Sequence, residues 1–332
     1  MRIGLAGVGR IGAGHAETLR GLTEVEEVVV ADADPGRARE VAGKLGVRSV
    51  DEVDALLTAG LDGLVVATPT AAHAPLVIAA AAAGVAVFVE KPVAPDIDGT
   101  LQVLAAIRGS GVPVQVGFQR RFDRGHLAAR EAVRSGRLGR VHTVRACTLD
   151  PVPPPDAYIP TSGGLFRDCS VHDFDGVRFV TGREVVEVSA TGANRGSPVF
   201  AESGDVDTGA AVLTLDDGTL AVVSATRYNA AGYDVRLEVL GFRGSVVAGL
   251  DDRTPLTSAG DGFHPAGPPH TAFLDRFAEA YEAELRAFVD VVAGRTDNPC
   301  PPEEGLEAFY VAEACEISRR EKRTITIEEV RR

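Results

Sequence analysis

Residues 2–12 read Arg2-Ile3-Gly4-Leu5-Ala6-Gly7-Val8-Gly9-Arg10-Ile11-Gly12. The stretch from Arg2 to Ala6 has the apolar character of a strand covered on both faces. It opens directly onto the G-x-G-x-x-G spacing, and residues 11–22 then carry a helical period. In that order each glycine has a use. Gly7 admits a tight turn, Gly9 lets the backbone approach a pyrophosphate, and Gly12 permits close helix–strand packing, while the helix N-terminus supplies positive potential. Glycine accounts for 37 of the 332 residues, so the spacing alone decides little. The strand before it and the helix after it give it weight.

A third context is Asp32, which closes Val28-Val29-Val30-Ala31-Asp32 at the end of the next apolar run. A carboxylate there accepts hydrogen bonds from the adenosine ribose hydroxyls and repels a 2′-phosphate, which favours NAD over NADP. Arg10 and Ile11 fill the turn. Arg10 is placed to touch phosphate, so dual use of NAD and NADP stays open.

Apolar runs at residues 2–6, 25–31, 61–67, 85–89 and 112–116 alternate with helical candidates at 11–22, 35–45, 50–59, 73–83 and 96–108. This predicts an α/β fold whose first domain, residues 1–120, is a Rossmann-type, doubly wound parallel sheet. The character changes beyond it. Strand candidates at 141–149, 184–191, 210–215, 220–227, 235–240 and 245–248 are separated by turns such as Asp216-Asp217-Gly218. With helices at 165–180, 272–293 and 303–320, residues 121–332 read as an α+β domain around a mostly antiparallel open sheet, laid out as a meander.

The formal charge of −13 repels phosphate backbones and anionic lipid, which argues against nucleic-acid and membrane partners. No charged leader precedes an apolar segment, and the four cysteines show no metal-ligand spacing. A cytoplasmic protein with reduced thiols and no metal is the expectation.

Two constellations suggest chemistry. Glu90-Lys91-Pro92 follows the fourth run, which places Lys91 at the carboxyl edge of the sheet, where open α/β sheets bind ligands. A lysine there can stabilise an alkoxide, though base rates favour an exposed turn lysine. Asp168 and His172 stand i, i+4 on the predicted helix, so a carboxylate can orient an imidazole suited to general-base work. An ordinary helix-surface pair is the plain alternative. His15, His126, His142, His264 and His270 show no such partner and are assigned no chemistry.

Taken with Ala67-Thr68-Pro69-Thr70 and His73, Gly117-Phe118-Gln119-Arg120-Arg121-Phe122-Asp123, Asp150 to Pro155 and Arg276 to Tyr281, these segments resemble the glucose-fructose oxidoreductase/inositol dehydrogenase/rhizopine-catabolism family over essentially the whole chain. The resemblance is nearest to its inositol 2-dehydrogenase branch. It implies an NAD-dependent oxidation of a secondary hydroxyl on a cyclic polyol, with myo-inositol first and scyllo-inositol or an aldose as alternatives. It implies catalytic roles for Lys91, Asp168 and His172, and a Lys91–Pro92 bond that is often cis. Thr68, Pro69, Thr70, His73 and Glu90 then flank the nicotinamide half of the cofactor, and Arg121 and Tyr281 lie near the polyol. Thr70 stands where an Asn is common, and Cys169 and Ser170 stand where apolar residues are usual.

The resemblance further implies a dimer or tetramer formed through the second sheet, whose strands at 210–215 and 220–225 alternate Val, Leu and Ala. Rival readings are a non-catalytic NAD-sensing regulator, an NAD-dependent glycosidase and a periplasmic sugar oxidoreductase that retains NADP. The absence of a leader and the presence of Asp32 count against the last.

Overall fold

The computed structural model describes residues 1–331, which form two compact units. The first comprises Met1–Gln119 and Glu279–Leu306, the second Arg120–Ala278 and Glu307–Arg332.

In the first unit, strands β1 (Arg2–Ala6), β2 (Glu27–Ala31), β3 (Arg48–Ser49), β4 (Gly63–Val66), β5 (Ala86–Glu90) and β6 (Val114–Gly117) make one sheet in the order β3-β2-β1-β4-β5-β6. Every pairing is parallel. The strand order reverses between β1 and β4, which is the switch point where such sheets bind ligands. Helices α1 (Arg10–Gly21), α2 (Pro35–Leu45), α3 (His73–Ala82) and α4 (Ile97–Arg108) follow β1, β2, β4 and β5. The ends of α2 are written locally: Asp34 caps the amides of Gly36 and Arg37, Pro35 takes the first turn, and Gly46 closes the helix in the left-handed region. The helix expected over 50–59 is a 3₁₀ segment, Val53–Thr58.

Residues Glu279–Leu306 belong to this unit by compactness, whereas a boundary at 120/121 assigns them to the second domain. The reason is burial. Leu285, Phe288 and Val289 join Ile3, Leu5, Val65 and Phe88 in one apolar cluster. The single helix expected over 272–293 is interrupted at Phe277, giving Phe273–Arg276 and Ala278–Val292.

The second unit holds α5 (Arg124–Arg134), β7 (Val141–Leu149), α6 (Val171–Thr181) and strands β8 (Val185–Ala193), β9 (Thr208–Leu215), β10 (Leu220–Thr226), β11 (Asp234–Gly241), β12 (Gly244–Ala248) and β13 (Ile325–Thr326). The seven-stranded sheet runs β12-β11-β7-β10-β9-β8-β13. It is mostly antiparallel, as expected, but not a meander. β7 inserts between β11 and β10 and pairs parallel to β10. One face buries Ala211, Leu213, Ala221, Val223 and Leu237. On the other face Val212 and Leu220 are each 46% exposed, and Val222 stands directly opposite Val212. Among the described residues no helix is long and apolar enough to cross a membrane.

Candidate functional site

The glycine turn has the geometry its sequence predicts. Gly7 has φ +89°, and a Cβ there would sit 2.7 Å from the Ala67 carbonyl oxygen. A Cβ on Gly12 would lie 1.9 Å from the Gly7 oxygen. Gly9 is different: its Cβ would meet nothing within 4 Å. Gly9 is also the N-cap of α1, with no side-chain cap and no acid in the first turn. The helix N-terminus therefore presents its amides and its positive end to a ligand. Asp32 is buried, with Oδ2 accepting from the Val8 amide at 2.8 Å and Oδ1 from the Asp34 amide at 2.9 Å. Arg37 lies 3.6 Å from Asp32. Arg10 is exposed and Ile11 half-buried.

The loops after β4 and β5 are joined by His73. Its Nδ1 is 2.7 Å from the Pro92 carbonyl oxygen and its Nε2 is 2.8 Å from that of Thr68. The imidazole thus ties Thr68-Pro69-Thr70 to the segment that carries Lys91. The Lys91–Pro92 peptide is cis, and Lys91 is half-buried. The Thr68 hydroxyl is buried without a hydrogen-bond partner among the described residues. An orphaned hydroxyl in this loop and an open approach at Gly9 both fit a dinucleotide with its pyrophosphate on the turn.

His15, read as partnerless, is not. Its Nε2 is 2.7 Å from Glu90 Oε1, and its ring lies near Phe88 and Tyr281, with centroids 5.6 and 5.8 Å away. His126 and His270 also meet carboxylates, Asp123 at 2.8 Å and Asp251 at 3.4 Å. Glu90 is therefore held from inside the unit, one residue before Lys91.

In the second unit Asp168 lies in a π turn, Phe166–Ser170, that leads into α6, and His172 is in the first turn of α6. Asp168 is clamped. Oδ2 accepts from Arg227 Nη2 at 2.7 Å and Oδ1 from the Tyr158 hydroxyl at 3.1 Å. Arg227 Nη1 reaches Asp150 Oδ2 at 2.9 Å. The parallel pairing explains this meeting: β7 and β10 run side by side with Leu149 opposite Thr226, so the residues that follow, Asp150 and Arg227, emerge together. Burial pushes the Asp150 carboxyl up, and Arg227 counters only part of that rise. Asp173, next to His172, is buried and anchored by Arg120 at 2.6 Å and Thr148 at 2.7 Å.

Arg121, matched by resemblance to a position near the polyol, is buried, with its guanidinium forked onto Asp175 at 2.6–3.1 Å and lying over the Phe179 ring. Tyr281 is half-buried in the first unit beside His15. The residues that sequence reasoning missed are Arg227, Tyr158 and Asp150 around Asp168, and His15 and Glu284 around Glu90. A charged residue just past each of two strand ends was the available signal for the Asp150–Arg227 pair.

Comparison with known proteins agrees with both units. Residues 1–118 match the oxidoreductase family with an NAD-binding Rossmann fold, and residues 126–247 match the GFO/IDH/MocA C-terminal domain. An inositol 2-dehydrogenase of Rhizobium meliloti is 38% identical, covering 98% of this chain and 99% of its own. A myo-inositol dehydrogenase of Streptomyces leeuwenhoekii, Hyg17, is 41% identical over 90% of each chain. Among solved structures, a scyllo-inositol dehydrogenase from Lactobacillus casei with bound NAD(H) and scyllo-inositol has a TM-score of 0.89 at 30% identity, covering 99% of each chain. The cofactor of this Rossmann unit is NAD. The two family models match in chain order, and the chain belongs to the GFO/IDH/MocA family of NAD-dependent oxidoreductases acting on CH–OH groups.

Proposed function

We propose that the protein oxidises one secondary ring hydroxyl of a cyclic polyol, myo-inositol foremost, to the ketone. The observation that carries this reading is the fixed Asp168 carboxylate, held by Arg227 and Tyr158, in the element that leads into His172. The inositol dehydrogenases among its relatives supply the substrate class.

His172 takes the hydroxyl proton as general base. Asp168 orients the imidazole and stabilises its protonated form. The Lys91 ammonium stabilises the alkoxide oxygen as the carbon loses its hydrogen. Bound NAD supplies the acceptor for the hydride that leaves the carbinol carbon. Gly7, Gly9, Arg10, Ile11 and Gly12 hold the pyrophosphate, Asp32 the ribose, and Thr68, Pro69, Thr70, His73 and Glu90 support the nicotinamide half. Tyr281 flanks the polyol, and Arg121 supports that region from its pairing with Asp175.

A second copy of the chain is the proposed cover for the outer sheet face around Val212, Leu220 and Val222, giving a dimer or tetramer. Light scattering that returns a monomer at working concentration refutes it. Cys147, Cys169 and Cys315 are thiols, which suits a cytoplasmic location.

The test of function is NADH formation across inositol isomers and common aldoses, with NAD and NADP in parallel. Myo-inositol with NAD is expected to give the highest kcat/KM. Sugar release without net NADH would identify a glycosidase, and no turnover of any polyol would leave a regulator.

A further inference from the structure

His15, Glu90 and Glu284 meet inside the first unit from three elements: α1, the last residue of β5 and the Ala278–Val292 helix. The imidazole nitrogen and one oxygen from each carboxyl group lie within 4.8 Å of one another. Glu90 Oε1 is engaged by His15, and β6 crowds its other oxygen, since a Cβ on Gly117 would sit 3.1 Å from Glu90 Oε2. Glu284 is 0% exposed, and neither of its carboxyl oxygens has a hydrogen-bond partner among the described residues. Its backbone is fixed, because the Gln115 side-chain amide of β6 donates to the Glu284 carbonyl at 3.0 Å. A second negative charge here would be buried without a donor, close to an existing carboxyl group. Such a group is relieved by taking up a proton.

We propose that Glu284 holds a proton in the working enzyme and shares it with Glu90, completing a buried Glu284–Glu90–His15 chain that positions Lys91. Glu284 is thereby a positioning residue. The proposal rests on the reading of Lys91 as the group that stabilises the alkoxide. The groups that face the Glu284 carboxyl are His15 from α1 and Glu90 from the end of β5, while Gln115 from β6 meets its backbone carbonyl and Tyr281 lies against the His15 ring. Burial first, then repulsion from Glu90, holds the Glu284 carboxyl well above the ordinary carboxylate range.

The sign of the pH effect follows. An acid raised in the folded state contributes its full stability below its unfolded value, and this is lost as pH climbs toward the folded value. Across that window one extra proton bound by the native state raises the unfolding constant roughly tenfold per pH unit.

The experiment compares the full-length wild type with Glu284→Gln and Glu284→Leu. Infrared difference spectra of the wild type at neutral pH should show the carbonyl stretch of a protonated carboxylic acid, shifted in D₂O and absent from Glu284→Gln. The wild type should lose stability with rising pH more steeply than Glu284→Gln by that one-proton slope. Glu284→Gln keeps a donor, so its kcat should exceed that of Glu284→Leu about tenfold, as expected for one buried hydrogen bond. A wild-type spectrum without the band, equal pH slopes, or one equivalent of divalent metal retained by the purified protein overturns the proposal. If Glu284→Leu does not fold, the first two readouts still decide it. Lys91→Ala separates the underlying reading, because retained turnover there would dismiss the role of Lys91 while leaving the band and the slope untouched.

Discussion

Arg227 Nη2 lies 2.7 Å from Asp168 Oδ2 while its Nη1 lies 2.9 Å from Asp150 Oδ2, so one buried guanidinium joins two carboxylates. A fork of this kind fixes both partners in place as well as neutralising them. Arg227→Ala leaves both acids without their cation, and removing one partner of a buried pair costs about 3–5 kcal/mol. A lower urea midpoint with a reduced kcat is expected. Arg227→Lys should recover part of the stability and less of the turnover, since a point charge cannot hold both acids in the same geometry.

His172→Ala should lower kcat by about 10²–10⁴-fold, the usual contribution of a positioned base. The nucleotide turn belongs to the other unit, so the dissociation constant for NAD, read by NADH fluorescence titration, should stay near wild type. Unchanged turnover would remove His172 from the chemistry.

Gly9 and Gly12 separate binding from folding. Gly9 has φ −68°, which alanine accepts, and open space where a Cβ would go. Gly9→Ala should melt near the wild-type temperature and bind NAD at least about tenfold more weakly, a loss of about 1.4 kcal/mol. Gly12→Ala drives a Cβ onto the Gly7 carbonyl oxygen, and overpacking of this sort costs about 1–3 kcal/mol. Thermal melts without ligand, run beside calorimetric titration, distinguish the two outcomes.

The role in cofactor choice proposed for Asp32 rests on its charge. Asp32→Ala deletes the acceptor of the Val8 amide and frees Arg37, 3.6 Å away, to meet a 2′-phosphate. Hydrogen bonds to charged groups contribute about 1.5–3 kcal/mol, so kcat/KM with NAD should fall about 10–100-fold. The NADP value should fall less or rise. Parallel kinetics with both cofactors check the ratio.

The first sheet was legible because its strands are short apolar runs with punctuation between them: β1, β2 and β4 fall within the expected stretches, and β5 and β6 run one residue beyond theirs. β3 was not legible, since two residues, Arg48 and Ser49, carry no period. The candidate residues that a sequence can offer are those close together in the chain: Gly7 to Gly12, Glu90-Lys91 and Asp168 with His172. Partners brought together from afar were not legible. His15 and Glu90 are 75 positions apart, and Asp168 and Arg227 are 59 apart. The π turn at Phe166–Ser170 likewise depends on backbone hydrogen bonding that no residue pattern announces. The parallel β7–β10 pair escaped because turn signals between strands suggest hairpins and say nothing of a strand inserted later.

Residues Glu279–Leu306 return to finish the core begun by Met1–Gln119. A ribosome that has released only the first third of this protein has therefore made a half-built nucleotide module. The apolar cluster around Ile3 and Phe88 stays unfinished until Leu285, Phe288 and Val289 arrive much later in translation. Anyone excising that module for reuse has to carry the late segment with it, because a cut at residue 119 discards the side chains that complete its apolar cluster.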